Sequence, residues 1–414
     1  MILRALPFAL AGLLCLPLLA CDSDAGGESL PAGCTVALSP GDDDFEALQT
    51  AFAESRTGDT ICLRDGTYSF DRRLTLAASR EITLRGLGAT RDDVVLDFAG
   101  QTLGGDGMTV TADGFTISDL TIKNTPGNGI VVHADASLFR NIKVTWDAGS
   151  VTDNGAYAVY PNDCTRTIVE DSEISGASDA GIYVGSCEHA IVRRNTVHGN
   201  VAGIEIENSR HADVYENVVF DNTAGILVFA LPNLAIKEVR EVLVRDNHIY
   251  ANNRPNFARA GTVVSYVPAG LGMLLITAKD VEIRDNVIED QDGAAVLIVS
   301  FDLIESLTGG DITNTDPALD PYSEGIYIHS NTFTGNGERP GGTLVAIGAA
   351  PHEDVLWDGD VREAEHDPEI CLGSEPPSFL NFAGLDPDKH SRDVGPHTCS
   401  RPALPTLTSF DHLP

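Results

Sequence analysis

Residues 156 to 229 can be laid on top of themselves, and this self-similarity limits the fold more than any other feature of the chain. Advancing AVYPNDCTRTIVEDSEISG by 23 positions gives GIYVGSCEHAIVRRNTVHG, which sets Tyr160 on Tyr183, Cys164 on Cys187, Ile174 on Val197 and Gly176 on Gly199. The next step, of 22 positions, carries Gly181 to Gly203 to Gly225, His189 to His211, Asn195 to Asn217 and Asn200 to Asn222. Each unit holds two or three short β-branched runs separated by Gly and Asn, with no helical periodicity. One coil of a single-stranded parallel β-helix meets those conditions: each coil stacks on the last, so the predicted fold is an all-β solenoid of 22–23-residue coils.

Length and composition agree. A chain of 414 residues, 43% of them hydrophobic, can bury a long core, while 40 glycines against three methionines suit strands and turns better than helices. The charge is lopsided, 27 basic against 61 acidic residues for a formal −34, which excludes nucleic acid and bare anionic lipid as partners.

The start of the chain reads as an address. Arg4 precedes an apolar run from Ala5 to Ala20 that is too short and too interrupted by proline to span a membrane. It ends in Leu18-Leu19-Ala20-Cys21, which resembles a bacterial lipobox. The expectation is a signal peptide over 1–20, a lipid anchor on Cys21 and a flexible tether over 21–40, with membrane attachment through the lipid only. Ordinary signal cleavage nearby would equally export the chain, to the periplasm or the cell surface.

Export makes cystine the expected state of the other cysteines. Setting aside Cys15 and Cys21, near-neighbour pairing joins Cys34 to Cys62, Cys164 to Cys187 and Cys371 to Cys399, a preference among the 15 pairings that six cysteines allow. Coils about 4.8 Å apart would bring Cys164 and Cys187 within bonding reach.

In chain order, Asp43 to Glu54 reads as an amphipathic helix with Phe45, Leu48 and Phe52 on one face, started by an acidic capping box of Asp43 and Glu46. It would cover the open end of a solenoid running over 41–340. Aligned on the last apolar residue of each run, one column reads Leu120, Ile142, Ser172, Asn195, Asn217, Asn247, Asn286, Asn331. A column that begins with buried types faces inward, and its later members predict an asparagine ladder. Residues 251–270 and 302–323 are too long for coil turns and read as insertions that shape a binding face. Residues 341–414 form an irregular C-terminal cap in which Trp357 and Phe379 bury.

Chemistry should lie on outward strand positions. Alternation puts Ile182, Val184, Ile204 and Ile206 inside, leaving Tyr160, Tyr183 and Glu205 in one outward column with Glu207 beside it. Tyrosine faces take the apolar side of a pyranose, and carboxylates take hydroxyls or protons. The candidate catalytic residues are Glu205, Glu207 and Asp179; the candidate substrate-binding residues are Tyr160, Tyr183 and Asp153, with Glu188 on a neighbouring turn. A solvated polar strand face is the competing reading. His189 and His211 should stack, but two ligands do not make a metal site. Asp311, Asp316 and Asp320 could hold calcium, although their spacing is not that of an EF-hand; no other cofactor is implied.

The stretches NGAYAVYPNDC, SDAGIYVG, NVAGIEIENS, ADVYENVVFDNTAGILVFALPNL, NNRPNFA and EGIYIHSNTF resemble a family of exported bacterial parallel β-helix repeat proteins, many of them lipoproteins, within the right-handed, pectate-lyase-like β-helix group. The resemblance covers most of 40–340 and implies a right-handed helix in the cell envelope, encoded beside a second exported protein that often has c-type haem features. It assigns no activity. The wider group includes pectate lyases, polygalacturonases and alginate epimerases, but the GHG, RIK and DPHD signatures are missing. Two functions follow as expectations. One is binding of a polysaccharide, with lyase, epimerase or hydrolase chemistry left open; the alternative is a non-catalytic scaffold for a cognate exported protein, such as a c-type haem protein.

Overall fold

The computed structural model describes residues 30–77, 80–346, 352–363, 366–383 and 386–410. The leader, Cys21 and the first part of the tether lie outside the described residues. Each coil contributes one strand to each of three parallel sheets. The first sheet runs from Val36–Leu38 to Glu324–His329 in eleven strands, the second from Gly66–Ser69 to Thr332–Thr334 in ten, and the third from Arg72–Leu76 to Phe379–Asn381 in eleven. One coil is typical: Ala180–Gly185 in the third sheet, Glu188–Arg193 in the first, Thr196–His198 in the second, then Ala202–Glu207 back in the third.

The repeat forms this path because its inward residues are β-branched and its corners are built alike. Ile182, Ile204, Val192, Val214, Val197 and Val219 are fully buried in the lumen. Between the first and second sheets the chain turns through one left-handed residue, Arg194 (φ 54°), Glu216 (55°), Asp246 (54°) or Asp285 (56°), and the next residue is the ladder asparagine. Asn217 Nδ2 donates to Asn247 Oδ1 at 2.9 Å and to the Val192 carbonyl at 2.9 Å, while its own Oδ1 accepts from Asn195 Nδ2 at 3.0 Å. The predicted ladder therefore runs from Asn195 to Asn331 and satisfies amides that would be costly if buried alone. A second ladder, which the sequence reading did not anticipate, joins Asn200 to Asn222 and Asn222 to Asn252 at the corner leading back to the third sheet.

All three expected disulfides form, with Cα separations of 5.8, 4.5 and 5.2 Å. Such bonds belong to an oxidising compartment and fit an exported chain. The capping helix spans Asp44–Glu54 and buries Leu48 and Phe52 as expected. Its start differs from expectation. Asp43 makes no side-chain cap, and the buried carboxylate of Asp44 instead accepts from the Gly41 and Ser69 amides, both at 2.7 Å. A neighbouring strand supplied a donor that local spacing could not reveal.

Two boundaries also move, and the tail takes another path. Val36–Leu38 pairs with Ile61–Leu63, so regular structure begins inside the stretch read as tether. Val355–Trp357 and Phe379–Asn381 extend the third sheet beyond 340, burying Trp357 and Phe379. The segment after Cys399 does not pack over the last coil but runs back along the first sheet, where Leu407 and Phe410 lie against Leu138, Ile168, Ile191 and Tyr215. Among the described residues no helix is long and apolar enough to cross a membrane.

Candidate functional site

The third sheet is covered on both faces. Register carries Tyr183 onto Glu205, Leu227, Leu274 and Leu297, and Gly185 onto Glu207, Phe229, Ile276 and Val299. These outward columns bury beneath the two insertions as a second apolar cluster with Val264, Leu303 and Leu344. The sequence signal was present in LVF, LLI and LIV, runs without alternation that mark strands buried on both sides. Within this cluster Glu205 and Glu207 stand where neighbouring coils place Leu, Phe or Ile.

The two glutamates form the floor of a cavity of about 340 Å³. Its walls are Tyr157, Tyr183 and Asp179 on one side, Leu227, Phe229, Leu231 and Leu234 on another, and Thr262 to Val264 with Val267 from the first insertion. Short 3-10 geometry over Val263–Tyr266 holds that insertion down, and the Tyr266 hydroxyl donates to Asp311 in the second insertion at 3.0 Å. Three tyrosine rings are packed together, with Tyr157 at 4.4 Å from Tyr183 and 4.7 Å from Tyr160, and Tyr160 edge-on to Tyr183 at 4.8 Å. Gly185 makes this packing feasible, because a Cβ there would sit 2.2 Å from the Tyr183 ring.

The electrostatics are one-sided, since no Lys, Arg or His among the described residues lines the cavity. Glu205 is 2% exposed, and no described residue donates a hydrogen bond to its carboxylate. Burial, then the charges of Asp179 and Glu207, push its carboxyl well above the usual range. Burial raises Glu207 to about 7 against a hydrogen bond from the Tyr183 hydroxyl that lowers it. Burial and the Glu207 charge raise Asp179 to about 7, opposed by a hydrogen bond from the Tyr157 hydroxyl. Burial also pushes up the hydroxyls of Tyr157, Tyr160 and Tyr183, with the nearby carboxylates adding to it. Acids of this kind exchange protons near neutrality.

The structure thus brings Tyr160, Tyr183, Asp179, Glu205 and Glu207 together, and adds Tyr157, which sequence reasoning passed over because it precedes the strand. Two expected members fall elsewhere. Asp153 is exposed in the turn after Val151 and does not line the cavity. Glu188 lies on the first sheet, bonded to Arg210 at 3.1 Å, because the chain has already turned the corner. The competing reading, a solvated polar strand face, does not describe this surface, because the insertions roof it. His189 and His211 do stack, 4.8 Å apart, with His211 held by Glu241. Asp316 is engaged by Lys237, and Asp320 by Lys279 and Arg362, so two of that loop's three acids already have cationic partners, while Asp311 accepts from the Tyr266 hydroxyl. Among the described residues no group of His, Cys, Asp or Glu is arranged to hold a metal ion.

The family model described as the right handed beta helix region matches residues 106–238 and 150–349, together more than half of the chain. The chain belongs to the right-handed β-helix family. No curated protein sequence matches it. Among solved structures, the A-module of mannuronan C-5 epimerase AlgE4 from Azotobacter vinelandii is 17% identical over 73% of this chain and 93% of that one, with a TM-score of 0.48. An alginate lyase from Paenibacillus sp. is 18% identical over 73% and 99%, with a TM-score of 0.42. The catalytic unit of a GH87 α-1,3-glucanase from Streptomyces thermodiastaticus is 14% identical over 80% and 51%, with a TM-score of 0.46. These likenesses concern the path of the backbone.

Proposed function

We propose that this β-helix binds a polysaccharide through the roofed cavity on its third sheet, with Tyr157 and Tyr183 against the sugar face and Asp179, Glu205 and Glu207 against its hydroxyls. One observation carries the reading: carboxylates without cationic partners, buried at the floor of a cavity whose other walls are aromatic and apolar. Structural acids in such surroundings are normally paired, so their persistence here points to a ligand or a proton-transfer role. Poised near 7, Asp179 and Glu207 can each hand a proton to a glycosidic oxygen or take one from water or a sugar carbon. The volume lies at the small end of the ligand-pocket range of about 300–1,000 Å³, which fits a short or terminal sugar unit better than a long stretch of polymer. A docking face for a protein would be broad and flat; here the insertions stand over it. The LLAC stretch supports lipid attachment at Cys21 and a cell-envelope location, which the mass of the mature N-terminal peptide would check.

Retardation on neutral and charged polysaccharides, with mass spectrometry of any products, tests the proposal using wild type and a Glu205→Gln/Glu207→Gln double variant. Wild type should be retarded by at least one polymer and the variant should not. Equal retardation of both proteins would remove the cavity from the account. Products formed only by wild type would make the protein an enzyme.

A further inference from the structure

We infer that the sugar unit this cavity takes is cationic, an amine-bearing sugar rather than a uronate. The inference rests on the saccharide reading above and deepens it. Its basis is the unmatched charge of the site. Glu205 is 2% exposed, faces the cavity and accepts no hydrogen bond from any described residue, so its carboxylate lacks a partner that a protonated amine would supply. The groups facing it are acids or neutral on every side: Asp179 from the preceding turn, Tyr157 and Tyr183 from the aromatic wall, Glu207 on its own strand, Leu227 from the next coil, and only Thr and Val from the insertion.

Asp106 and Asp163 lie beside Tyr160 as well, but Arg73 and His133 stand 3.8 Å from them, so the unmatched charge is confined to the cavity. Tyrosine faces attract cations through their quadrupole, which adds to the attraction of the carboxylates. An anionic sugar acid would meet three carboxyl groups that share negative charge near neutrality, with no Arg or Lys among the described lining residues to receive it. A metal ion would answer the charge as well, but among the described residues the acids do not converge in a metal-holding group.

Proton linkage makes the inference measurable. A bound cation favours ionised carboxylates and lowers their pKa, so groups half-titrated near pH 7 release protons on binding, whereas a bound anion takes protons up. Calorimetry on the full chain, in buffers of different ionisation enthalpy, would compare oligomers of glucosamine at about pH 6, where the sugar amine already carries its proton and the carboxyls still hold most of theirs, with oligomers of N-acetylglucosamine and of galacturonate at about pH 6 and 7, and with spermidine as an amine that is not a sugar. Expected are proton release with the glucosamine oligomers, binding at least about tenfold tighter than to the N-acetylated ones, and a loss of about tenfold or more in Glu205→Gln. Tighter binding of galacturonate with proton uptake, or equal binding of the N-acetylated oligomers, would overturn the cationic assignment and leave the saccharide site standing. Binding of spermidine alone, or of none of the four, would overturn both.

Discussion

On the first sheet, Glu170 is 1% exposed and is met by Arg140 at 2.5 Å, Arg193 at 2.6 Å and Arg194 at 2.9 Å. Asp213, fully buried one face away from the cavity, takes Arg245 at 3.1 Å and the Leu407 amide at 2.9 Å. On the third sheet Glu205 and Glu207 are buried too, yet no cation among the described residues lines their cavity. Both faces are roofed, the first by the C-terminal segment and the third by the insertions. The titration differs most between Glu170 and Glu207: burial raises Glu170, but its arginines outweigh that and hold it below the usual range, while Glu207 rises to about 7; at Asp213 burial still prevails over Arg245 and the Leu407 amide and raises the carboxyl. Burial alone therefore does not mark a site in this molecule. Burial with neither a counter-charge nor an amide donor does, because an acid held by arginine, or by backbone amides as Asp44 is, is already satisfied and an unheld one waits for a proton or a ligand.

The comparison can be broken most sharply by removing a counter-charge. Arg245→Met leaves Asp213 buried and unpaired and also removes the cation over the Tyr215 ring at 3.8 Å. A loss of about 3–5 kcal/mol is expected in thermal or urea unfolding. A loss below about 1 kcal/mol would mean that the paired face is not held by its pairs.

The unpaired face should respond in the opposite direction. With Glu207 near 7 when folded and near 4.5 when unfolded, the folded chain keeps a proton between those values that the unfolded chain has lost. Its stability contribution therefore falls as pH rises, and Glu207→Gln should gain up to about 3 kcal/mol above pH 7 and almost nothing below pH 4. The urea midpoint followed from pH 4 to 8 would show this. An unchanged difference across the range would place the carboxyl at its ordinary pKa.

Glu170→Gln should do the reverse. A carboxyl held low contributes stability above its unfolded pKa and loses it as pH falls through its depressed folded pKa, so the variant should be weaker by about 2 kcal/mol at pH 7 and approach wild type as acid protonates Glu170 in the folded chain. The smallest effect belongs to the covering segment. Ending the chain after Cys399 removes the Leu404 and Leu407 amides from Glu282 and Asp213, and should cost about 1–2 kcal/mol and speed hydrogen exchange on the first sheet alone. Faster exchange around Glu205 as well would mean that the two faces are coupled through the core.

Much of the architecture was written in local pattern. The 22–23-residue repeat, the inward isoleucines and valines, the asparagine ladder, the cystine pairs and the capping helix each depend on spacing within one coil or between adjacent coils. The column of Tyr160, Tyr183 and Glu205 with Glu207 was legible for the same reason, since strand alternation and coil register are periodic. Tertiary structure alone decided what lies over those residues. The Val263–Tyr266 insertion folds down onto a strand more than fifty residues earlier, and Leu407 reaches Asp213 across 194 positions. No periodic rule carries contacts of that range, which depend on where long irregular segments come to rest. They decide what roofs each face, while the arginines on Glu170 and Asp213 come from adjacent coils of the same sheet; the two together separate a structural face from a candidate site.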